Sequence, residues 1–312
     1  MKSRHNDYQV IEDVARPIPS LIPPSPESSE ASPEVARGWR GWLRSFGPSS
    51  AMFWGIHIVA VVGAVAFFSW KGVLLAIASY FVRMVLVTAA YHRYFSHRAF
   101  KTSRAFQFLL ALGAQSSAQK GVLWWAGHHR HHHKYSDTPK DIHSVRRSGL
   151  WHAHVGWILG PDWDDTNTAM IGDLTKFREL RFLNHRAISL LPAVALGLAF
   201  WLLGGVSGFV WGFLVSTVLL WHGSFSINSL SHLFGKRRYP TTDDSRNNWA
   251  LAILTTGEGW HNNHHHYQSS ANQGFRWWEI DVTFYVLRVL ELFGFIWDLR
   301  RPPRAVIAGA AA

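Results

Sequence analysis

Apolar residues gather into four long stretches along this chain, at about 51–70, 72–91, 187–206 and 208–228. Each approaches the roughly 20 residues an α-helix needs to cross the hydrocarbon core of a bilayer. Only short turns separate the members of each pair, WKG near 70–72 and GGVSG at 204–208. The pattern therefore predicts an all-α integral membrane protein with four transmembrane helices in two hairpins. Residues 105–118 are apolar but short, and read as a re-entrant or interfacial helix. Residues 160–185 read as a turn and then an amphipathic helix. Residues 279–299 are apolar at helical spacing but carry five charges, which favours a docked or surface helix over a fifth span. Strand patterning is weak throughout, and no repeat is evident beyond the paired hairpins.

The polar remainder sets the boundaries. Residues 1–36, rich in Pro, Ser and Glu, bury too little apolar surface to offset their ordering entropy and read as a disordered tail. They lack the basic start and apolar run of a signal peptide. The segment GWRGWLRSFG (38–47) reads either as an amphipathic lead-in lying in the interface or as a solvated linker. Residues 37–300 form the membrane domain, with a cap drawn from 92–186 and 229–300, and 301–312 form a C-terminal tail.

Composition agrees with a membrane setting. Charged residues make up 16% of the chain, against roughly 25% in soluble proteins, and the 17 Trp suit a membrane–water interface. The net charge of +11 sits beside apolar stretches and forms no isolated stripe, which favours anionic lipid over nucleic acid as its partner. The hairpin turns hold only Lys71, whereas the N-terminal, central (92–186) and C-terminal segments hold nearly all other Lys and Arg. Those regions, both termini included, are therefore expected in the cytoplasm. Arg83 lies inside the second stretch and must face protein or snorkel. With no cysteine, disulfides, thiolate chemistry and Cys-ligated iron–sulfur clusters are excluded. Any electrons must come from another protein.

The candidate chemistry lies in histidine. His92 and His97 stand in HRYFSH, His129, His132 and His133 in HRHHH, and His261, His264 and His265 in HNNHH. Residues three and four apart share a helix face, so each HxxHH set is expected to converge on one side and hold a metal. His92 and His97, five apart, require the helix to end or bulge. His232 in NSLSHLFG is a ninth candidate, and Asn228, one turn earlier, is placed to orient a metal-bound water. Nine imidazoles exceed one zinc site, so two metals are implied; imidazole suits Fe, Cu, Zn and Ni alike. His128, His131 and His266 lie off the ligand faces. His57, His143, His152, His154, His185 and His222 are read as structural. Asp137, Asp141 and Glu258 are candidate acceptors for imidazole N–H groups.

These motifs resemble the membrane fatty acid desaturases of the stearoyl-CoA (delta-9) type, in the bacterial branch. AAYHRYFSHRAFKTS, HHRHHHKYSDT, NSLSHLFG and GEGWHNNHHHYQSSANQG match in order, spacing and flanking residues over about 50–290. The resemblance implies four spans beneath a cytosolic helical cap that holds a di-iron site. Its ligands would be His92, His97, His129, His132, His133, His232, His261, His264 and His265, with Asn228 reaching a metal through water. It implies an oxidoreductase that uses O2 as co-substrate, with two Fe ions, to insert a cis double bond into a saturated acyl chain. It also implies an external electron donor such as ferredoxin or cytochrome b5 with its reductase. The expected location is the bacterial inner membrane, with the active site facing the cytoplasm. Trp124, Trp125, Trp151 and Trp157 lie near the clusters and are candidate walls of an acyl tunnel.

Two departures bear on the acyl carrier. Acyl-CoA members carry a basic residue two positions before the second cluster, where this chain has Gly127. They carry a basic pair after HVGW, where this chain runs into ILGPDWDD. An acyl chain on a membrane lipid or a carrier protein thus stands beside acyl-CoA. The nearest enzymatic rival is a membrane di-iron hydroxylase of the alkane-hydroxylase type. A metal transporter would instead place ligands near mid-membrane.

Overall fold

The computed structural model describes Ser45 and residues 50–309. The N-terminal tail (1–36), the rest of the 38–47 segment and the last three residues of the C-terminal tail lie outside the described residues. In chain order the main helices are α1 (Ala51–Ala66), α2 (Trp70–Leu86), α3 (Arg104–Gln115), α4 (Val122–Tyr135), α5 (Val145–Trp151), α6 (Arg178–Asn184), α7 (Leu191–Gly208), α8 (Ser216–Ser229), α9 (Trp249–Leu254), α10 (His261–His266) and α11 (Val282–Leu292). Among the described residues the one sheet is an antiparallel pair, β1 (Lys101–Thr102) with β2 (Ile296–Trp297). The protein is mostly helical, as the patterning predicts.

Two helical stretches are long and apolar enough to cross a membrane, Trp70–Ser96 and Leu191–His232. Ala51–Ala66 is apolar but shorter. The second long stretch is not a single rod. Gly205 has φ +58° and ψ −152°, a conformation open to glycine and strained for other residues. Beyond it the chain folds back on itself. A Cβ at Gly208 would lie 2.5 Å from the Phe200 carbonyl oxygen, and one at Gly197 would lie 3.0 Å from the Phe213 ring. The arm that returns begins as a π-helix, Phe209–Val215, whose Trp211 Nε1 donates to the Phe67 carbonyl at 2.7 Å and so ties the returning arm to the turn between α1 and α2. Apolar residues also face outward on these helices: Val65 is 78% exposed and Leu203 88%. Such surface is unfavourable in water and favourable in lipid.

Arg83 faces protein. It is buried and donates to Ser216 Oγ at 3.0 Å, Thr217 Oγ1 at 2.9 Å and the Ser116 carbonyl at 2.7 Å. It thus joins α2 to α8 and to the end of α3. The apolar run at 105–118 forms α3, capped by Ser103 Oγ, which accepts from the Phe106 N–H at 3.2 Å. Its Leu110, Ala111 and Ala114 share a core with Leu180 and Leu183 of α6, so one face of α3 is covered by protein. Residues 160–185 depart from the predicted turn and helix. They break into short pieces, Pro161–Trp163, Thr168–Met170 and Gly172–Thr175, before α6. Residues 279–299 supply a surface helix, α11, capped by Asp281, which accepts from the Phe284 N–H at 2.9 Å. That helix buries Phe284 and Leu287 and exposes Val289 and Leu292.

Candidate metal centre

The five-residue spacing of His92 and His97 is resolved by a change of helix type. After Leu86 the helix continues as a π-helix, Val87–Ser96, and the His97 N–H donates to the His92 carbonyl at 3.2 Å. The i→i+5 pitch brings residues five apart onto one side, and the two rings lie 4.8 Å apart. α4 and α10 carry the HRHHH and HNNHH sets, and a short 3₁₀ turn, Leu230–His232, follows α8 and carries His232.

All nine candidate histidines come together, in two groups. His92, His97, His129, His133 and His264 form one; His132, His232, His261 and His265 form the other. Within each group the candidate ligand atoms lie within 4.8 Å of one another. This corrects the expectation that each HxxHH set converges on one side. α4 sends His129 and His133 to the first group and His132 to the second. α10 sends His261 and His265 to the second and His264 to the first. The reason is helical pitch: adjacent residues point about 100° apart at 3.6 residues per turn, so each HH pair straddles both groups.

Inside the first group, Nε2 atoms meet in series. His97 lies 2.9 Å from His129, His129 3.0 Å from His133, His133 3.0 Å from His264, and His264 3.0 Å from His92. In the second group His232 Nε2 lies 3.1 Å from His261 Nε2. One ring nitrogen carries at most one hydrogen, directed along one line in the ring plane. Four contacts through five nitrogens therefore admit at most two straight hydrogen bonds. The buried Nε2 of His265 and Nδ1 of His133, His261 and His264 have no protein partner. Burial first, then the neighbouring imidazoles, hold His97, His129, His133, His261 and His264 well below the usual histidine range. Neutral imidazoles with converging lone pairs suit cations better than protons.

Carboxylates orient these rings. His132 Nδ1 donates to Asp141 at 2.9 Å, His232 Nδ1 to Asp137 at 3.0 Å, and His265 Nδ1 to Asp243 at 2.6 Å. His92 Nδ1 meets Glu258. Burial alone would raise these carboxyls. The histidines instead hold Asp137, Asp141 and Asp243 below the usual carboxylate range, and His92 with Arg93 brings Glu258 to about 2. Each pairing leaves Nε2 free to face a metal, the usual arrangement behind metal-bound histidine. A further grouping of His132, Asp141 and His143 reuses His132, whose Nδ1 Asp141 already takes, and so belongs to the same support.

Sequence reasoning found Asp137, Asp141 and Glu258 but missed Asp243, whose TTDD setting reads as an ordinary turn. It also missed Arg93, which donates to Glu258 at 2.9 Å and to Asp281 at 2.9 Å from full burial. An arginine beside His92 in HRYFSH was the available signal. His128 and His266, off the ligand faces, have other partners. His128 Nδ1 donates to the Trp124 carbonyl at 2.8 Å, and His266 stacks on Tyr239 at 4.2 Å.

A largely apolar cavity opens onto the first group. Its walls include Met84, Trp124, Trp125, Trp157 and Phe225, and His92, His129 and Asn228 also line it. Trp151 lies elsewhere: it stacks on Trp54 at 6.4 Å, and its Nε1 donates to Ser45 Oγ. Gly127 has no room for a side chain, because a Cβ there would lie 2.7 Å from the Asn167 carbonyl oxygen. In the ILGPDWDD stretch, Asp164 pairs with Lys120, and Trp124 Nε1 donates to the Trp163 carbonyl at 2.7 Å.

Comparison with known proteins gives one family. The fatty acid desaturase family model matches residues 68–290. The chain is 38% identical over 263 residues to an sn-1 stearoyl-lipid 9-desaturase of Synechocystis, covering 83% of this chain and 81% of that protein. It is 35% identical over 275 residues to a chloroplastic palmitoyl-monogalactosyldiacylglycerol delta-7 desaturase of Arabidopsis thaliana, covering 85% and 72%. It is 37% identical over 252 residues to an acyl-CoA C20 Delta5-desaturase of Anemone leveillei, covering 80% of each.

Proposed function

The chain belongs to the fatty acid desaturase family, and from that premise we propose that it inserts a cis double bond at the delta-9 position of a saturated acyl chain carried on a membrane lipid. As a desaturase it is an oxidoreductase of lipid metabolism. The observation that carries the finer reading is the division of nine histidines, six buried and three half-buried, into two groups beside one apolar cavity. In this reading His92, His97, His129, His133 and His264 hold one iron. His132, His232, His261 and His265 would hold the other, and Asn228 would reach a metal through water. Bound there, the two irons supply the O2-derived oxidant that alkyl C–H cleavage needs and side chains do not provide.

The chain's own residues do the rest. Trp124, Trp125, Trp157 and Phe225 exclude water and orient the acyl chain, so that one C–C bond faces His92 and His129. Asp137, Asp141, Asp243 and Glu258 fix the imidazole tautomers and ring directions.

Lipid rather than CoA as the carrier is supported by two features. Gly127 abuts a backbone carbonyl where acyl-CoA members have a cation, and the stretch after HVGW is acidic. The family and the apolar helices associate the protein with a membrane. The reversal at Gly205 and the outward apolar faces support four spans in two hairpins. The basic segments support a cytoplasmic cap at the inner membrane.

Expression in a host lacking desaturase, with lipid classes separated before fatty acid analysis, tests the reading. The expected result is a cis-9 olefin in intact membrane lipid. An alcohol product would sink the desaturation claim, and olefin appearing first in acyl-CoA would sink the carrier claim.

A further inference from the structure

A surface pocket lies against the second histidine group and has no part in the acyl cavity. Asp137, Arg146, His232, Leu233, Asp244 and Arg246 line it. None of these residues lines the acyl cavity, which reaches the histidines through His92 and His129 of the first group. The rim of the pocket is basic. Arg146 and Arg237 each lie 3.8 Å from the Asp244 carboxylate, Arg147 Nε donates to the Asp137 carbonyl at 3.1 Å, and Lys236 precedes Arg237 in the chain. Asp137 is buried against His232, and Asp244 is shared between Arg146 and Arg237, so the cations of this face outnumber its free carboxylates. The floor is the Asp137–His232 pair, and His232 Nε2 lies 3.1 Å from His261 Nε2.

We propose that this basic pocket is where an acidic one-electron carrier protein docks, so that electrons enter through His232 and the second group while the acyl chain lies against the first. The inference rests on the desaturase reading. Desaturation consumes O2, two electrons and two protons with one CH2–CH2 unit, and yields CH=CH and two waters. Two reduced carriers are each oxidised once per double bond. The chain has no cysteine with which to hold an iron–sulfur cluster of its own, and a cationic rim attracts and orients an acidic partner. A carrier seated on the pocket touches the hydrogen-bonded mate of a candidate ligand. On the acyl side, the cavity walls and the substrate itself would stand between carrier and metal.

The test uses the detergent-solubilised holoenzyme with a plant-type ferredoxin, its reductase and NADPH, and the variant R146E/R237E. Both positions are solvent-facing. The expected result is a KM for ferredoxin raised about tenfold or more, with kcat at saturating ferredoxin kept within about twofold. The wild-type KM rises with added salt and the variant's does not. R186E, on an arginine whose side chain is 76% exposed and which pairs with Asp165, is expected to leave the KM unchanged. An unchanged KM in R146E/R237E, or an equal rise in R186E, overturns the proposal. So does a defect that appears only in vesicles containing phosphatidylglycerol, since that marks a lipid-binding surface. Binding of oxidised ferredoxin, followed by calorimetry on both proteins, reads the docking without turnover. If the wild type makes no olefin with any donor yet binds ferredoxin through these arginines, the desaturase reading fails and the docking surface stands.

Discussion

Two sets of histidines in this protein place ring nitrogens about 3 Å apart, and they do opposite things with that distance. In the nine-histidine centre, the Nε2 atoms of His129, His133 and His264 serve two contacts each, and carboxylates take the Nδ1 hydrogens of four other rings. His57, His222 and His154 form a line instead. His57 Nε2 lies 3.0 Å from His222 Nε2, and His222 Nδ1 lies 2.9 Å from His154 Nε2. The ends rest on the Phe53 carbonyl and Ser229 Oγ at 2.8 and 2.9 Å. Every contact in the line uses its own nitrogen, so three N–H donors and the Ser229 hydroxyl, which His154 Nδ1 shares with the Phe225 carbonyl, serve its four contacts without a metal. Histidine proximity alone therefore does not mark a metal centre. Shared nitrogens, in a cluster whose neighbouring rings are held by carboxylates, do.

The largest effect that tests this contrast is loss of a ring from the centre. His129→Ala, His232→Ala and His264→Ala should each abolish unsaturated product and lower bound metal, as read by fatty acid analysis and metal content. The purified wild type should hold two metal ions per chain. Chelation should remove activity, and Fe(II) should restore it where Zn(II) does not. A single ion per chain would break the division into two groups.

Asp243→Asn comes next. It leaves the ligand set intact but replaces the carboxylate behind His265 with an amide. Loss of such an outer partner costs roughly 10–100-fold in metal affinity or activity. Retention of both metal and activity would show that the carboxylates are incidental, and with them the distinction from the His57 line.

The residue types of the centre were legible in the chain, and its division was not. Spacing placed His129, His132 and His133 on one helix, and the nine rings do meet. Which ring joins which group depends on where α4 and α10 stand relative to the π-helix at 87–96, and no local pattern encodes that. Four apolar stretches were read as four helices. The structure draws the last two as one stretch reversed at Gly205, because the GGVSG link is tight enough for helical turns to run up to it on both sides. Asp243 was invisible because a loop carboxylate near a cluster in space is a turn residue in sequence. The short pieces at 160–175 were missed because their apolar residues insert singly, Ile171 and Leu174 each being fully buried, without a continuous helical face.

A change in the line of three should be mild. In His222→Ala, His57 and His154 lose their shared partner, but Phe53 and Ser229 still hold their outer nitrogens. Metal content should stay at the wild-type value, and activity should fall a few-fold at most. Metal loss here would mean the line supports the centre, against the contrast drawn above.

His266→Ala should have the smallest effect, although His266 directly follows two histidines of the centre. The next step along α10 turns its ring about 100° from that of His265, onto Tyr239, where the two rings stack at 4.2 Å with 6° between their planes. Such a contact is worth about 0.5–1.5 kcal/mol. It also lies over a small core of Tyr239, Phe275 and Val306, away from both groups. The variant should keep both metals and most of its olefin yield, with a melting temperature lowered by a few degrees at most. Loss of one metal in His266→Ala would require a third ring from HNNHHH in the second group, and the assignment of His264 to the first would then have to be redrawn.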